Sequence, residues 1–225
     1  MSDQTPLIPY EWPGTYYFGE EEYAAVKEVL DSRSLFRFYG PDLRQYSKRL
    51  EQSFAARLGR KHALAVSSGT AALGIAMGAI GVGPGDEVLL PGYLWVSCLA
   101  AVVRAGAIPR LVDIDDTFCM DPEDLKRKIG PHSRAVLLVH MSGAPGAVDK
   151  IAEICRENKL YLVEDCAQAI GADYRGRPVG AFGAAGCFSF YPTKNLGADG
   201  DGGMIVTSDE ALARKLRMLR VHGIE

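Results

Sequence analysis

The chain has 225 residues, 48% of them hydrophobic and 24% charged, with a formal net charge of −3. That length suits one large α/β domain or two small ones and is enough to bury a substantial core. The charge gives no reason to expect nucleic acid or an anionic membrane as a partner, no apolar run is long enough to span a bilayer, and the acidic N-terminus lacks a signal-peptide pattern.

Residues 1–19 are rich in proline and aromatics and carry no clear period. Tyr23, Val26 and Leu30 follow at spacings that share one face of a first helix. Arg33-Ser34-Leu35-Phe36-Arg37-Phe38-Tyr39 is an aromatic and basic turn, read first as core packing and otherwise as a substrate or subunit contact. Leu43, Tyr46, Leu50 and Leu58 mark a second amphipathic helix, broken at Gly59. From residue 62 short apolar runs alternate with helices. Strands are predicted at 62–66, 87–90, 108–112, 134–139 and 160–164. Helices open after Ser67-Ser68-Gly69-Thr70 and cover 95–104, 122–129 and 148–158. A small hairpin around Gly176 and Val179, strands at 186–190 and 204–207, and a helix capped by Asp209 complete the order. This alternation predicts a mostly parallel sheet with helices on both faces, in which ligands gather at the carboxyl ends of the strands. The expected division is an N-terminal helical segment, 1–61, packing on a large α/β domain, 62–225.

The chemistry concentrates around Lys194. The strand ending at Phe190 runs into Tyr191-Pro192, and proline biases the residue before it away from helix, so Lys194 sits on a loop just past a buried strand. Gly197, Gly200, Gly202 and Gly203 follow within seven positions, where glycine permits close backbone approach to a ligand. A lysine amine taken out of water there becomes a nucleophile towards carbonyls, whereas an ordinary loop lysine stays solvated. Ser67-Ser68-Gly69-Thr70 joins a strand to a helix N-terminus, which favours an anion such as phosphate, though Ser-Gly-Thr is also a common N-cap. Glu164-Asp165-Cys166-Ala167-Gln168 closes another strand, and a carboxylate there needs a cationic partner unless it caps a following helix. Trp95 offers a face for a flat ring or for the core. His140 ends the strand at 134–139 and reads as a structural histidine that could also face the site. The cysteines Cys98, Cys119, Cys155, Cys166 and Cys187 are scattered, with no C-x-x-C pair, and the four histidines are dispersed. They read as the reduced thiols of a cytosolic protein, with neither a disulfide framework nor a metal centre. Together a phosphate cradle, a stacking indole, an acid for a ring nitrogen and a nucleophilic lysine match the needs of pyridoxal phosphate.

These motifs, above all Ser68-Gly69-Thr70-Ala71-Ala72-Leu73, Glu164-Asp165-Cys166-Ala167-Gln168-Ala169 and Phe188-Ser189-Phe190-Tyr191-Pro192-Thr193-Lys194-Asn195-Leu196-Gly197, resemble those of the DegT/DnrJ/EryC1/StrS aminotransferases. The resemblance runs from the first helix to Val221-His222-Gly223. It implies a three-layer large domain of the aspartate aminotransferase-like fold type I. It also implies pyridoxal phosphate as cofactor and transfer of an amine from glutamate or glutamine to a nucleotide-linked keto sugar or cyclitol. Lys194 would be the Schiff-base lysine and later the proton carrier, and Asp165 would keep the pyridine nitrogen protonated. Gln168 would bond the ring hydroxyl, Trp95 would stack on the ring, and Gly69, Thr70, Ala71 and Ser189 would hold the phosphate. Some sugar dehydratases of the family have histidine in place of this lysine, so Lys194 implies aminotransfer. The resemblance further implies a homodimer in the cytoplasm, and a smaller C-terminal domain that is expected to be absent from this chain, so the alternative reading is a truncated cofactor-binding or interaction module without turnover.

Overall fold

The computed structural model describes residues 13–224, so most of the proline-rich N-terminal stretch lies outside the described residues. Three helices come first: α1 (Pro13–Tyr16), α2 (Glu20–Ser32) and α3 (Tyr46–Arg57). The alternating part follows as β1 (His62–Val66), α4 (Gly69–Ala79), β2 (Glu87–Pro91), α5 (Val96–Arg104), β3 (Ile108–Val112), α6 (Pro122–Lys128), β4 (Ser133–Val139), α7 (Val148–Glu157) and β5 (Tyr161–Asp165). A hairpin of β6 (Asp173–Tyr174) and β7 (Arg177–Pro178) then leads to β8 (Ala185–Ser189), β9 (Gly203–Thr207) and α8 (Glu210–Arg220).

The helix starts follow from capping chemistry. Ser68 is extended and its side chain accepts the Ala71 amide at 3.0 Å, which opens α4. Asp209 opens α8 in the same way, accepting from Leu212 at 2.9 Å. Asp121 caps α6, with Pro122 in its first turn, where a missing N–H is harmless.

Seven strands form one sheet in the order β1-β9-β8-β5-β4-β2-β3. The pairs β2·β3, β2·β4, β4·β5 and β5·β8 are parallel, while β9 runs antiparallel between β1 and β8. The predicted mostly parallel sheet is therefore present. Successive strand side chains point to opposite faces, and both faces are apolar. Val88, Leu90, Leu137, Val163 and Ile205 pack towards α4, α5 and α8. Leu89, Val136, Leu138 and Leu162 pack towards α6 and α7, which present Leu125, Val148, Ile151 and Ile154. On that second side, under α3, Phe54 meets Phe188 and Phe190 edge-on at 4.9 and 5.7 Å. The result is three layers, helix, sheet and helix. Among the described residues no helix is long and apolar enough to cross a membrane.

The N-terminal region departs from expectation. The turn at 33–39 is not core: Leu35, Phe36, Phe38 and Tyr39 are exposed, with Phe36 meeting Phe38 edge-on and Tyr39 at a tilt. Its fixed point is Arg37, whose guanidinium forms a two-pronged pair with Glu51 at 2.7 and 2.9 Å. Glu51 also accepts from Arg220 and from the Ala65 amide, so it ties the turn to β1 and α8. Once the arginine takes its partner on α3, the flanking rings are left facing outwards. Tyr23, Val26 and Leu30 share one face of α2 as predicted, and that face is exposed among the described residues.

Candidate active site

The carboxyl ends of β1, β4, β5 and β8, with the start of β9, converge on one edge of the sheet and enclose a cavity of about 660 Å³. This is the size range of small-molecule and cofactor sites. Gly69, Thr70, Trp95, Asp165, Gln168, Ser189 and Lys194 all line it.

One wall is the start of α4. The first amides of a helix have no intrahelical acceptor, so those of Gly69 and Thr70 are available to an anion. Three backbone segments crowd here. A Cβ on Gly69 would fall 2.6 Å from the Ser189 Cβ, and one on Gly203 would fall 2.5 Å from the Ser68 carbonyl. Only glycine permits this approach, which brings the Ser189 hydroxyl beside the helix end. That hydroxyl accepts the Tyr191 amide at 3.3 Å and keeps its own proton to donate. The Thr70 hydroxyl lies 2.9 Å from that of Ser97, joining α4 to α5.

The opposite wall carries the acids. Glu164 and Asp165 are adjacent on β5 and so point to opposite sides of the strand. Glu164 is wholly buried away from solvent. Its Oε1 accepts the amides of Phe182 and Gly183 at 2.8 and 2.6 Å, and its Oε2 accepts the amide of Gly180 and meets His140 Nε2 at 2.7 and 3.0 Å. Burial by itself pushes this carboxyl up, but the His140 bond and charge, with the amides of Gly183 and Gly180, outweigh it and hold it below the usual range. Asp165, 6% exposed, faces the cavity. Its Oδ1 accepts the Ala167 amide at 2.9 Å and its Oδ2 accepts the Cys98 thiol at 2.9 Å. Both donors are neutral, and among the described residues no cation pairs with this buried carboxylate. Gln168 stands beside it, its Oε1 accepting the Ser142 amide at 2.7 Å, which leaves the side-chain NH2 to donate.

Lys194 is half-buried on the loop between β8 and β9, in a turn closed by its amide on the Tyr191 carbonyl at 2.8 Å. The α1 helix props this loop from behind: a Cβ on Gly14 would come within 2.5 Å of the Lys194 carbonyl oxygen. Trp95 is the N-cap residue of α5, 66% exposed, at the rim of the cavity.

Of the eight residues that the resemblance assigns to the cofactor, Ala71 alone does not line the cavity, and its amide is already spent on Ser68 Oγ. His140 is fully buried, touches the cavity wall, and leaves Nδ1 without a partner among the described residues. His140, Glu164 and Cys166 lie close enough together to suggest a metal. The Glu164 oxygens are already filled by four donors, and burial beside Glu164 keeps the Cys166 thiol strongly protonated, so hydrogen bonding explains the cluster. Tyr191, Thr193 and Asp201, which fall inside the Lys194 motif and the glycine-rich run after it, and Ser97 and Cys98 were given no site role from sequence, yet lie at or beside the site. Ser97 and Cys98 could have been found from Trp95, since all three fall within one helical turn.

A model of the DegT/DnrJ/EryC1/StrS aminotransferase family matches residues 17–225. A UDP-N-acetyl-3-dehydro-alpha-D-glucosamine 3-aminotransferase of Acidithiobacillus ferrooxidans is 42% identical over 205 residues, 91% of this chain and 54% of that protein. Among solved structures, S. venezuelae DesV in complex with a ketimine intermediate superposes with a TM-score of 0.87 at 41% identity, covering 98% of this chain and 59% of DesV. A GDP-4-keto-6-deoxymannose-3-dehydratase with a trapped PLP-glutamate geminal diamine gives 0.83 at 32% identity, covering 92% and 54%. The chain spans about half the length of the curated relatives it matches.

Proposed function

The chain belongs to the DegT/DnrJ/EryC1/StrS aminotransferase family, and from that premise we propose that it serves pyridoxal-phosphate-dependent transfer of an amino group. The donor in this reading is glutamate or glutamine, and the acceptor is a keto group on a nucleotide-linked sugar or cyclitol. The observation that carries the reading is Asp165. It is a buried carboxylate with two neutral donors and no cationic partner among the described residues, aimed into a cavity that Lys194 also lines. A buried, uncompensated carboxylate is costly, and a protonated ring nitrogen would balance it. The crowded glycines at Gly69 and Gly203 fit a phosphate on the first amides of α4 equally well. The residues present therefore suit the cofactor.

Bound pyridoxal phosphate supplies an electron sink that no protein side chain offers. The protein's part is to bind, orient and move protons. The Gly69 and Thr70 amides and the Ser189 hydroxyl would hold the phosphate, and Trp95, at the cavity rim, would pack against the ring. Asp165 would keep the proton on the ring nitrogen, and Gln168 would donate to the ring hydroxyl. Lys194 Nζ, on its propped loop, would be the amine that binds the cofactor and the group that accepts and returns a proton at the substrate carbon. The sugar dehydratase among the similar structures shows that the family scaffold serves more than one outcome, and lysine at 194 favours aminotransfer here.

The test is reconstitution. The purified chain incubated with pyridoxal phosphate should show a visible absorbance band, and borohydride should fix the cofactor to the peptide containing Lys194. The same adduct in Lys194→Ala would show that the lysine is misassigned.

A further inference from the structure

One turn of α5 reaches three parts of the cavity. Trp95 caps the helix at the rim, Ser97 meets the Thr70 hydroxyl at 2.9 Å, and Cys98 reaches the acid. Cys98 is 0% exposed and donates its S–H to Asp165 Oδ2 at 2.9 Å. The other oxygen of Asp165 is held by the Ala167 amide, which belongs to the aspartate's own turn. The terminal torsion of an aspartate is soft and broadly two-fold, so one local bond leaves the carboxylate free to tilt. A second bond from a different element fixes its plane. A carboxylate accepts at about four lone-pair positions, so two bonds still leave room for the group it faces across the cavity.

We propose that Cys98 is a positioning residue, its thiol holding the Asp165 carboxylate in the orientation in which it meets the ring nitrogen of the cofactor; this rests on the function proposed above. Burial, and then the charge and hydrogen bond of Asp165, push the Cys98 thiol far up, so it stays protonated and remains a donor wherever the protein is folded. A thiol suits the place because the same side chain is part of the apolar core between α5 and the sheet. It behaves there as a small hydrophobe that also offers a weak donor. The simpler role, space-filling alone, makes different predictions.

Two measurements separate them. Without cofactor, the infrared S–H stretch of Cys98, assigned by its loss in Cys98→Ala, should lie below those of the other four cysteines and move up in Asp165→Asn. A band at the same place in both proteins overturns the contact. With cofactor, absorbance titration should show pyridoxal phosphate binding weakened about 3- to 10-fold in Cys98→Ala, the scale of one modest hydrogen bond. Cys98→Ser, which keeps a donor, should recover most of it, and Cys98→Ala should add nothing in an Asp165→Asn background. If Cys98→Ala lowers only the melting temperature, or if serine serves no better than alanine, the thiol is packing and the inference falls. If the unsubstituted chain takes up no cofactor, the proposed function fails and the inference with it, a result distinguishable because it does not depend on residue 98.

Discussion

Glu164→Gln tests how the wall behind Asp165 is held. Each carboxylate oxygen serves two donors, Oε1 the amides of Phe182 and Gly183, Oε2 the amide of Gly180 and His140. Glutamine keeps the shape but turns one oxygen into an NH2 group. If the nitrogen faces Phe182 and Gly183, two buried amides lose their acceptor, at about 1–3 kcal/mol each. If it faces Gly180 and His140, the imidazole can adopt the tautomer that accepts, and only the Gly180 amide is orphaned. The remaining bonds also lose their charge-assisted strength. The second arrangement is the lower in energy, and the expected loss is about 2–4 kcal/mol. Urea denaturation followed by circular dichroism, analysed with a shared m-value, measures it. A loss under about 0.5 kcal/mol, the range of ordinary surface substitutions, would refute the role given to this carboxylate. Acid provides a second check. The folded-state pKa lies below the ordinary 4.5, so on acidification the unfolded chain binds the proton first. The stabilisation is complete above that value and disappears as pH falls through the folded pKa. The gap between the two proteins should therefore narrow below about pH 4.5; a gap that widens in acid contradicts the assignment.

Asp165→Asn keeps an oxygen for the Ala167 amide, so the melting temperature should change little, while aminotransfer by a version extended to the length of its relatives should fall roughly 100-fold or more, as when a preorganised electrostatic contact is removed. Near-normal turnover would reduce Asp165 to a turn residue. Gly203→Ala places a methyl 2.5 Å from the Ser68 backbone, which cannot swing aside like a side chain. The expected outcome is about 1–3 kcal/mol of destabilisation together with weaker cofactor uptake, read by thermal melting and absorbance titration; unchanged values for both would mean the segments have room to spare.

The α/β core was legible because its signals are local. Runs such as Val136-Leu137-Leu138 and the amphipathic spacing of Val148, Ile151 and Ile154 declare strand and helix without reference to the rest of the chain. The cavity-lining motifs were legible for a similar reason, since each sits where a strand ends. What stayed hidden depends on partners distant in sequence. Arg37 reads as an ordinary basic residue until Glu51 is found beside it, and only that pairing explains why the neighbouring rings face outwards. Glu164 and Asp165 look alike in sequence. Strand alternation says that they diverge, but not which of them meets the loop at Gly180 and which meets the cavity. Cys98 gave only the indirect signal of lying one turn from Trp95, because its significance lies in a contact with a strand formed much later in the chain.

The pairing of β1 with β9 bears on how the protein comes to fold. His62 stands opposite Thr207, and Val66 opposite Gly203, so one margin of the sheet is closed by segments from opposite ends of the alternating region. Joining such distant segments carries a loop-closure penalty and slows folding relative to neighbouring contacts. The start of α4 and the end of β8 face each other only once β9 lies between β1 and β8. The proposed phosphate cradle at the start of α4 is thus expected among the last features a refolding chain completes. Cofactor added to the denatured protein should leave the main refolding rate nearly unchanged and act afterwards, by mass action on the finished fold. A nascent chain lacking β9 would present the parallel half of the sheet without the proposed cradle.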